Sequence, residues 1–472
     1  MTPTSTEPAP AGPAPADPSG GPARGDRYRR AIVAAVLVLA LVCVALVGAT
    51  LGTGPRLRSA TLDSSATTRA GATLRLTLDV PIARPSARQL TISPAIPSSI
   101  TVSGPVVSIV FAAPLAASTR YTVALDGVVS RYGSPSSSIG YGFTTDAASY
   151  WYLDRSGAQD VVYSASLARG KATAEFRAPA IQSFARAASA LVVATGRGDT
   201  SELQVVDTST GATESLALPA VGRVDSLAAD VTGSQIAVVF TSTETAVSPE
   251  YDHELFTVDF TGAGLTPVTG LAGDIDGVDG VQFLAGTSLL AVHQRSGTTS
   301  VVDPSGAAPL VPLGQYADWY GASTDGTRIV VADATGPLAI DIATGKQERL
   351  PSSPLGGVRP YGGDLVLLRG GVRVQNVAVP DASGTEFDTL VVRDDGTTAT
   401  PLWTHPPGAG RVLQMSASPN DQYVALEFDP DLTTVTTDGY GVDPLPDDVQ
   451  TIIIDSATGA TQRFAAGSHL QW

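Results

Sequence analysis

Two acidic stretches and four histidines are the groups whose chemistry needs placing. "DIDGVDG", residues 274–280, puts Asp274, Asp276 and Asp279 on a Gly-rich segment. Oxygen ligands two residues apart suit Ca2+, although the spacing departs from the EF-hand order and the bidentate Glu is missing. The other reading is a solvated acidic turn. "DPDLTTVTTDGYGVDPLPDD", 429–448, carries Asp429, Asp431, Asp438 and Asp443. It is too polar to pack and too long for a routine hairpin. It is expected to project from one face, as a contact loop for a cation or a basic partner or simply as a solvated loop. His253, His293, His405 and His469 are far apart in sequence, and each reads as a loop or packing residue.

Other chemistry is excluded by pattern. The chain has no GxSxG, no P-loop and no HExxH. The one cysteine, Cys43, permits neither an intrachain disulfide nor Cys/His zinc spacing. "RGD" at 197–199 lies between two strands, where Gly-Asp suits a hairpin. Asp225 is the clearest acid on an expected inner strand, and one acid does not make the pair that glycoside hydrolysis requires. No catalytic or cofactor-binding residue is assigned, and the chain is expected not to be an enzyme.

The elements that position these groups follow from composition. The chain has 472 residues, 43% of them hydrophobic, with 48 Gly, 34 Pro and a net charge of −16. Frequent Gly and Pro suit many short strands, and the negative charge repels nucleic-acid phosphate. Residues 1–30 are rich in Pro, Ala, Gly and Ser and read as a disordered cytoplasmic tail. Residues 31–52 carry no charge and follow Arg24, Arg27, Arg29 and Arg30. That predicts a single transmembrane helix acting as a signal anchor, with everything after it extracytoplasmic. Cleavage as a signal peptide, near "VGA" at 47–49, is the alternative.

Residues 59–147 alternate. "LRLTLDV" puts Leu74, Leu76, Leu78 and Val80 on one face, and "VVSIVF" and "YTVAL" repeat the pattern, which predicts a small antiparallel sandwich. With "LTISPAI" before these and "FTTD" closing them, the segment resembles the bacterial Ig-like domain of S-layer (SbsA-like) type. That resemblance implies a non-catalytic spacer or adhesion module. It also implies a buried Tyr121 whose hydroxyl bonds to the backbone upstream.

Residues 149–472 repeat. "VVDTSTG", "TVDFTGAG", "VVDPSG", "AIDIATG", "VVRDDG" and "IIDSATG" place Asp207, Asp259, Asp303, Asp341, Asp394 and Asp455 at turn entries. Asp can accept turn N–H groups, and Gly takes positive φ without steric cost. Units of 40–60 residues predict a propeller. Seven fall near 149–178, 181–218, 221–270, 275–313, 317–350, 357–403 and 409–466, with six or eight blades as alternatives. The first lacks an inner strand, and "SHLQW" at 468–472 is expected to supply it and close the ring. "DSLAADVTGSQIAVVF", "GASTDGTRIVVA" and "MSASPNDQYVALEF" resemble the repeats of TolB-like and WD40-like propellers, without the Trp-Asp ending of true WD40 units.

The expected fold class is therefore all-β: a transmembrane helix (31–52), an Ig-like sandwich (59–147) and a seven-bladed β-propeller (149–472) closed by the C-terminal strand. The expected function is a membrane-anchored cell-envelope binding or scaffold protein. Its propeller would contact a protein, peptide or glycan, with loops 241–252 and 429–448 foremost. The alternatives are a propeller-based glycoside hydrolase or lyase, and a purely structural spacer.

Overall fold

The computed structural model describes residues 29, 32–43, 54–133, 135–168, 170–187, 190–230, 235–243, 250–259, 264–271, 273–381, 383–384, 387–404, 410–433 and 436–472. Among the described residues the chain is all-β apart from a helical stretch near its start and three short 3-10 turns. The expected transmembrane helix is corrected. Among the described residues, no helix is long and apolar enough to cross a membrane. The continuous helical stretch there covers 32–43. Residues 44–52 of the expected span, and nearly all of the expected tail, lie outside the described residues.

Two sheets form a sandwich. Leu57–Leu62, Thr73–Leu78, Val106–Phe111 and Ser98–Ser103 make one, in that spatial order, and Leu90–Ser93, Arg120–Val128 and Ser137–Thr144 make the other. Alternation decides the core. Leu74, Leu76 and Leu78 are buried while Arg75 faces out, and across the gap Val123 and Leu125 meet them. Tyr121 is buried, stacks on Phe143, and its hydroxyl accepts the Ala116 N–H at 3.0 Å.

The remaining strands form seven antiparallel sheets of four. Their innermost strands are Ser468–Gln471, Ile181–Arg186, Gly222–Ala229, Val278–Phe283, Asp318–Ala322, Tyr361–Leu367 and Arg411–Ala417. From the second sheet onward each lies beside the next, and the ring returns through Ser468–Gln471, which touches both the second and the seventh sheets. Blade 1 takes three strands from 149–178 and its innermost strand from 468–471, with Ser468 opposite Leu153 and Gln471 opposite Trp151.

Each blade is too thin to bury a core alone, so it buries both faces against its neighbours. On the second strand of blade 3, Ile236, Val238 and Phe240 face blade 2, while Ala237 and Val239 face blade 4. Period-two geometry makes this division possible. The same packing closes the circle, where Tyr423, Ala425 and Ile453 of blade 7 meet Tyr150 and Leu470 of blade 1.

Because strands alternate in direction, the turns between first and second strands and between third and fourth strands share one end of the ring. There Asp207, Asp303, Asp341 and Asp455 accept turn N–H groups, and Gly211, Gly306, Gly345 and Gly459 hold positive φ. Asp394 likewise accepts a turn N–H, from Gly396 at positive φ, and does more. Fully buried, it accepts Ser353 N–H and an Arg373 N–H, tying blade 6 to the link that precedes it. The side chain of Asp259 lies outside the described residues. The sandwich also packs at this end. Ala117 N–H donates to Gln422 Oε1 at 2.7 Å and Asn420 Nδ2 to Leu115 O at 3.2 Å. The opposite end, carrying the links between second and third strands and between blades, faces away from the sandwich.

Candidate functional site: the acidic axial cavity

A regular inner strand points its side chains at the neighbouring blades. An extra residue in the strand breaks that alternation and re-aims a side chain. All seven inner strands carry such a bulge. Gln182, Asp225, Asp279, Tyr320 and Leu413 each lack a partner in their ladders. In the other two, two residues oppose one: Gly363 and Asp364 in blade 6, His469 and Leu470 in the closing strand. His469 has φ +55°, a left-handed conformation rare outside Gly and Asn.

Four of these bulged residues, Gln182, Asp225, His469 and Leu470, line a cavity of about 280 Å³ inside the ring. Its walls come from the inner strands of blades 2, 3 and 7, the closing strand, Glu427 and the 442–443 segment. They include three carboxylates, Asp225, Glu427 and Asp443, and no Lys or Arg. Of these only Asp225 lies on an inner strand; Glu427 is on a second strand and Asp443 on the link after it, outside the inner strands where the sequence reading looks for a second acid. Asp279, Asp318 and Asp364 are further inner-strand acids outside the cavity, the Asp364 carboxyl pushed up by burial and by the charge of Asp318.

The three carboxylates differ. Asp225 is held by Arg223 Nε at 2.8 Å and Thr241 Oγ1 at 2.5 Å. Glu427 is only 7% exposed, and its Oε1 accepts the Leu470 N–H at 3.1 Å. Burial pushes its carboxyl up to about 7, with the backbone N–H groups of Leu470 and His469 opposing. The side chain of Asp443 is 74% exposed at the rim, 3.9 Å from His469 Nε2. That distance would fit an ion pair, but burial, then the Arg155 charge, lowers His469 to about 3. The imidazole is neutral at neutral pH, so the contact is not ionic.

Residues 436–447 do not project. They run from blade 7 across the closing strand onto blades 1 and 2. Tyr440 is buried, its hydroxyl donates to Asp160 Oδ2, and the Arg155 guanidinium lies 3.8 Å over its ring. Arg155 also pairs with Asp438, both side chains nearly sealed from water. Gly441 N–H donates to Arg197 O at 2.9 Å. The segment is a strap that carries Val442 and Asp443 to the cavity. Arg155→Ala should leave the buried Asp438 uncompensated and cost about 3 kcal/mol. The check is chemical unfolding, together with new protease cleavage within 436–447.

The sequence candidates thus separate. Asp429 is buried and lies 3.4 Å from Arg411 Nε, Asp431 Oδ1 accepts the Thr433 N–H, and Asp438 is committed to Arg155. Asp443 alone of the four reaches the cavity. Among the described residues, no three His, Cys, Asp or Glu side chains are gathered as a metal ion needs. Asp274, Asp276 and Asp279 are not among such a group, and their surroundings fit the acidic-turn reading. Ile275 turns inward between the first two, and Asp279 pairs with Arg295 Nε at 3.1 Å. His293 is buried against Thr299 and Trp319, His253 bonds Thr241, and His405 lies outside the described residues. Of loop 241–252, residues 244–249 lie outside them too.

Sequence reasoning missed Glu427, His469 and Gln182. A usable signal was present: "AIQSF", "RVDSL" and "GVDGV" each put a polar residue directly after the first apolar residue of an inner strand.

No family model matches the chain, and no curated protein matches it. Among solved structures it is similar to TolB from Acinetobacter baumannii, at 10% identity over 81% of this chain and 80% of that one, with a TM-score of 0.35. It is also similar to an oligogalacturonate lyase from Vibrio parahaemolyticus, at 13% over 59% and 87%, TM-score 0.42. A prolyl endopeptidase matches at 10% over 86% and 51%, TM-score 0.45. Likenesses this weak carry neither a family nor an activity, and they lend nothing to the S-layer resemblance of the sandwich. What identifies the fold is the chain's own ring of seven four-stranded sheets, a β-propeller.

Proposed function

We propose that the propeller is a binding module that holds a polypeptide partner on the end facing away from the sandwich. One observation carries this. Six exposed large apolar side chains, Val221, Leu271, Val358, Tyr361, Phe387 and Leu432, all lie in links or strand starts at that end. The propeller's other two among the described residues, Val311 and Phe464, lie on outermost strands. Tyr361 and Phe387 are 65% and 51% exposed, with ring centroids 5.8 Å apart. Aromatic pairs of this kind anchor protein contacts.

The test is a peptide selection on the full chain, counter-screened on the Tyr361→Ser/Phe387→Ser double variant. Peptides enriched on the unaltered chain should lose binding to the variant. Enriched peptides indifferent to the change, or none at all, would count against the proposal. A second reading, glycoside hydrolysis or elimination, is favoured by Glu427, whose raised carboxyl could act as an acid in a cavity it shares with Asp225 and Asp443. It requires turnover of a polysaccharide that disappears in Glu427→Gln.

A further inference from the structure

We infer that the axial cavity receives a single cationic group, the guanidinium or ammonium of an Arg or Lys side chain. The inference rests on the polypeptide-binding reading above and names what enters the middle of that surface. At about 280 Å³ the cavity lies just under the ~300–1,000 Å³ of pockets built for whole small ligands. It suits one long side chain, not a folded element.

Its chemistry is one-sided. Asp225, Glu427 and Asp443 line it, and no Lys or Arg does. Of the nearby cations, Arg223 already pairs with Asp225 and, at 3.7 Å, with Asp199, and Arg155 pairs with Asp438 beneath the strap, which leaves Glu427 and Asp443 as the acids without an Arg or Lys partner among the described residues. The neutral His469 supplies no positive charge. Glu427, more than nine-tenths buried, takes backbone N–H groups on one side and has no cation of its own among the described residues. A buried carboxyl without a counter-charge strongly favours an incoming cation.

A second, independent observation lies on the same wall. Ser183 Oγ is enclosed and has no hydrogen-bond partner among the described residues. A guanidinium or ammonium carries several N–H donors and can satisfy a hydroxyl and a carboxylate together. Access is from the end that carries the exposed aromatics, past Asp443 at the rim. An Arg or Lys in a partner segment can therefore enter while its neighbours meet Tyr361 and Phe387.

The probes are acetyl-arginine amide and acetyl-lysine amide, with acetyl-citrulline amide as the uncharged control, titrated into the full chain. The cationic probes should bind at least about tenfold more tightly than citrulline. Asp443→Asn, at an exposed position that does not endanger folding, should erase most of that preference. Glu427→Gln should do the same, and Tyr361→Ser/Phe387→Ser should leave it intact. Equal binding of citrulline and arginine amides, no binding of either, or a preference that survives Asp443→Asn and Glu427→Gln together, would overturn the inference. Peptides that depend on Tyr361 and Phe387 but tolerate citrulline at every Arg, and norleucine at every Lys, would overturn it too, while leaving the polypeptide-binding reading standing.

Discussion

Replacing residues 468–472 with a Gly-Ser stretch of equal length should abolish cooperative folding of the propeller. These residues are the innermost strand of blade 1 and lie between blades 7 and 2. Leu470 is buried, and Trp472 stacks on Tyr423 with its edge toward Tyr150. Losing a buried Leu and a large aromatic contact costs about 5 kcal/mol or more. A domain's whole stability is about 5–15 kcal/mol. The loss is not local either, because opening one seam exposes the facing sides of two blades. Unfolding followed by circular dichroism should change from one sharp transition to a broad one. The peptide SHLQW, added in trans, should partly restore it. A variant that unfolds as sharply as the unaltered chain would show that the ring does not depend on this strand.

Glu427→Gln and His469→Asn should change stability in opposite limbs of the pH range. Glu427 rises from 4.5 to about 7 on folding, so between these values the native state keeps a proton that the unfolded chain has lost. Its contribution is present below pH 4.5 and lost as pH rises through about 7. His469 falls from 6.5 to about 3, so the unfolded chain holds the extra proton in that window. Its contribution is present above pH 6.5 and lost as pH falls toward 3. At ~1.4 kcal/mol per pH unit, full effects are about 3 kcal/mol for Glu427 and at most about 5 kcal/mol for His469. Between pH 4.5 and 6.5 the two slopes oppose each other in the unaltered chain. Relative to it, Glu427→Gln should gain stability as pH rises from 4.5 to 7. His469→Asn, chosen because Asn tolerates positive φ, should gain as pH falls below 6.5. Urea midpoints across pH 4–8 decide this, and parallel curves for all three chains would exclude both shifts.

The legible parts of this fold are those whose cause is local. The Asp-to-Gly hairpins could be read because a carboxylate on the next N–H groups and a Gly at positive φ belong to one turn, as at Asp207 and Gly211. Leu74, Leu76 and Leu78 could be read because one face of one strand decides them. "SHLQW" was legible as the missing start of a repeat. The strap was not, because Tyr440 and Asp438 are buried by Asp160 and Arg155, which lie some 280 residues earlier and follow no period. Glu427 reads in "VALEF" as one polar residue in an apolar strand, and only the closing strand turns it into a cavity wall. The apolar run at 31–52 was read as a span from hydropathy alone, and among the described residues no helix is long and apolar enough to cross a membrane.

Closure and cavity are one claim, since His469, Leu470 and Gln471 both complete the first blade and wall the axial site. The direct measurement is amide hydrogen exchange across 468–472 in the full chain. The Leu470 N–H, bonded to Glu427 Oε1, should be as protected as the inner strand Arg411–Ala417. Exchange at the rate of an unstructured peptide would mean that the ring is open and the site is not built.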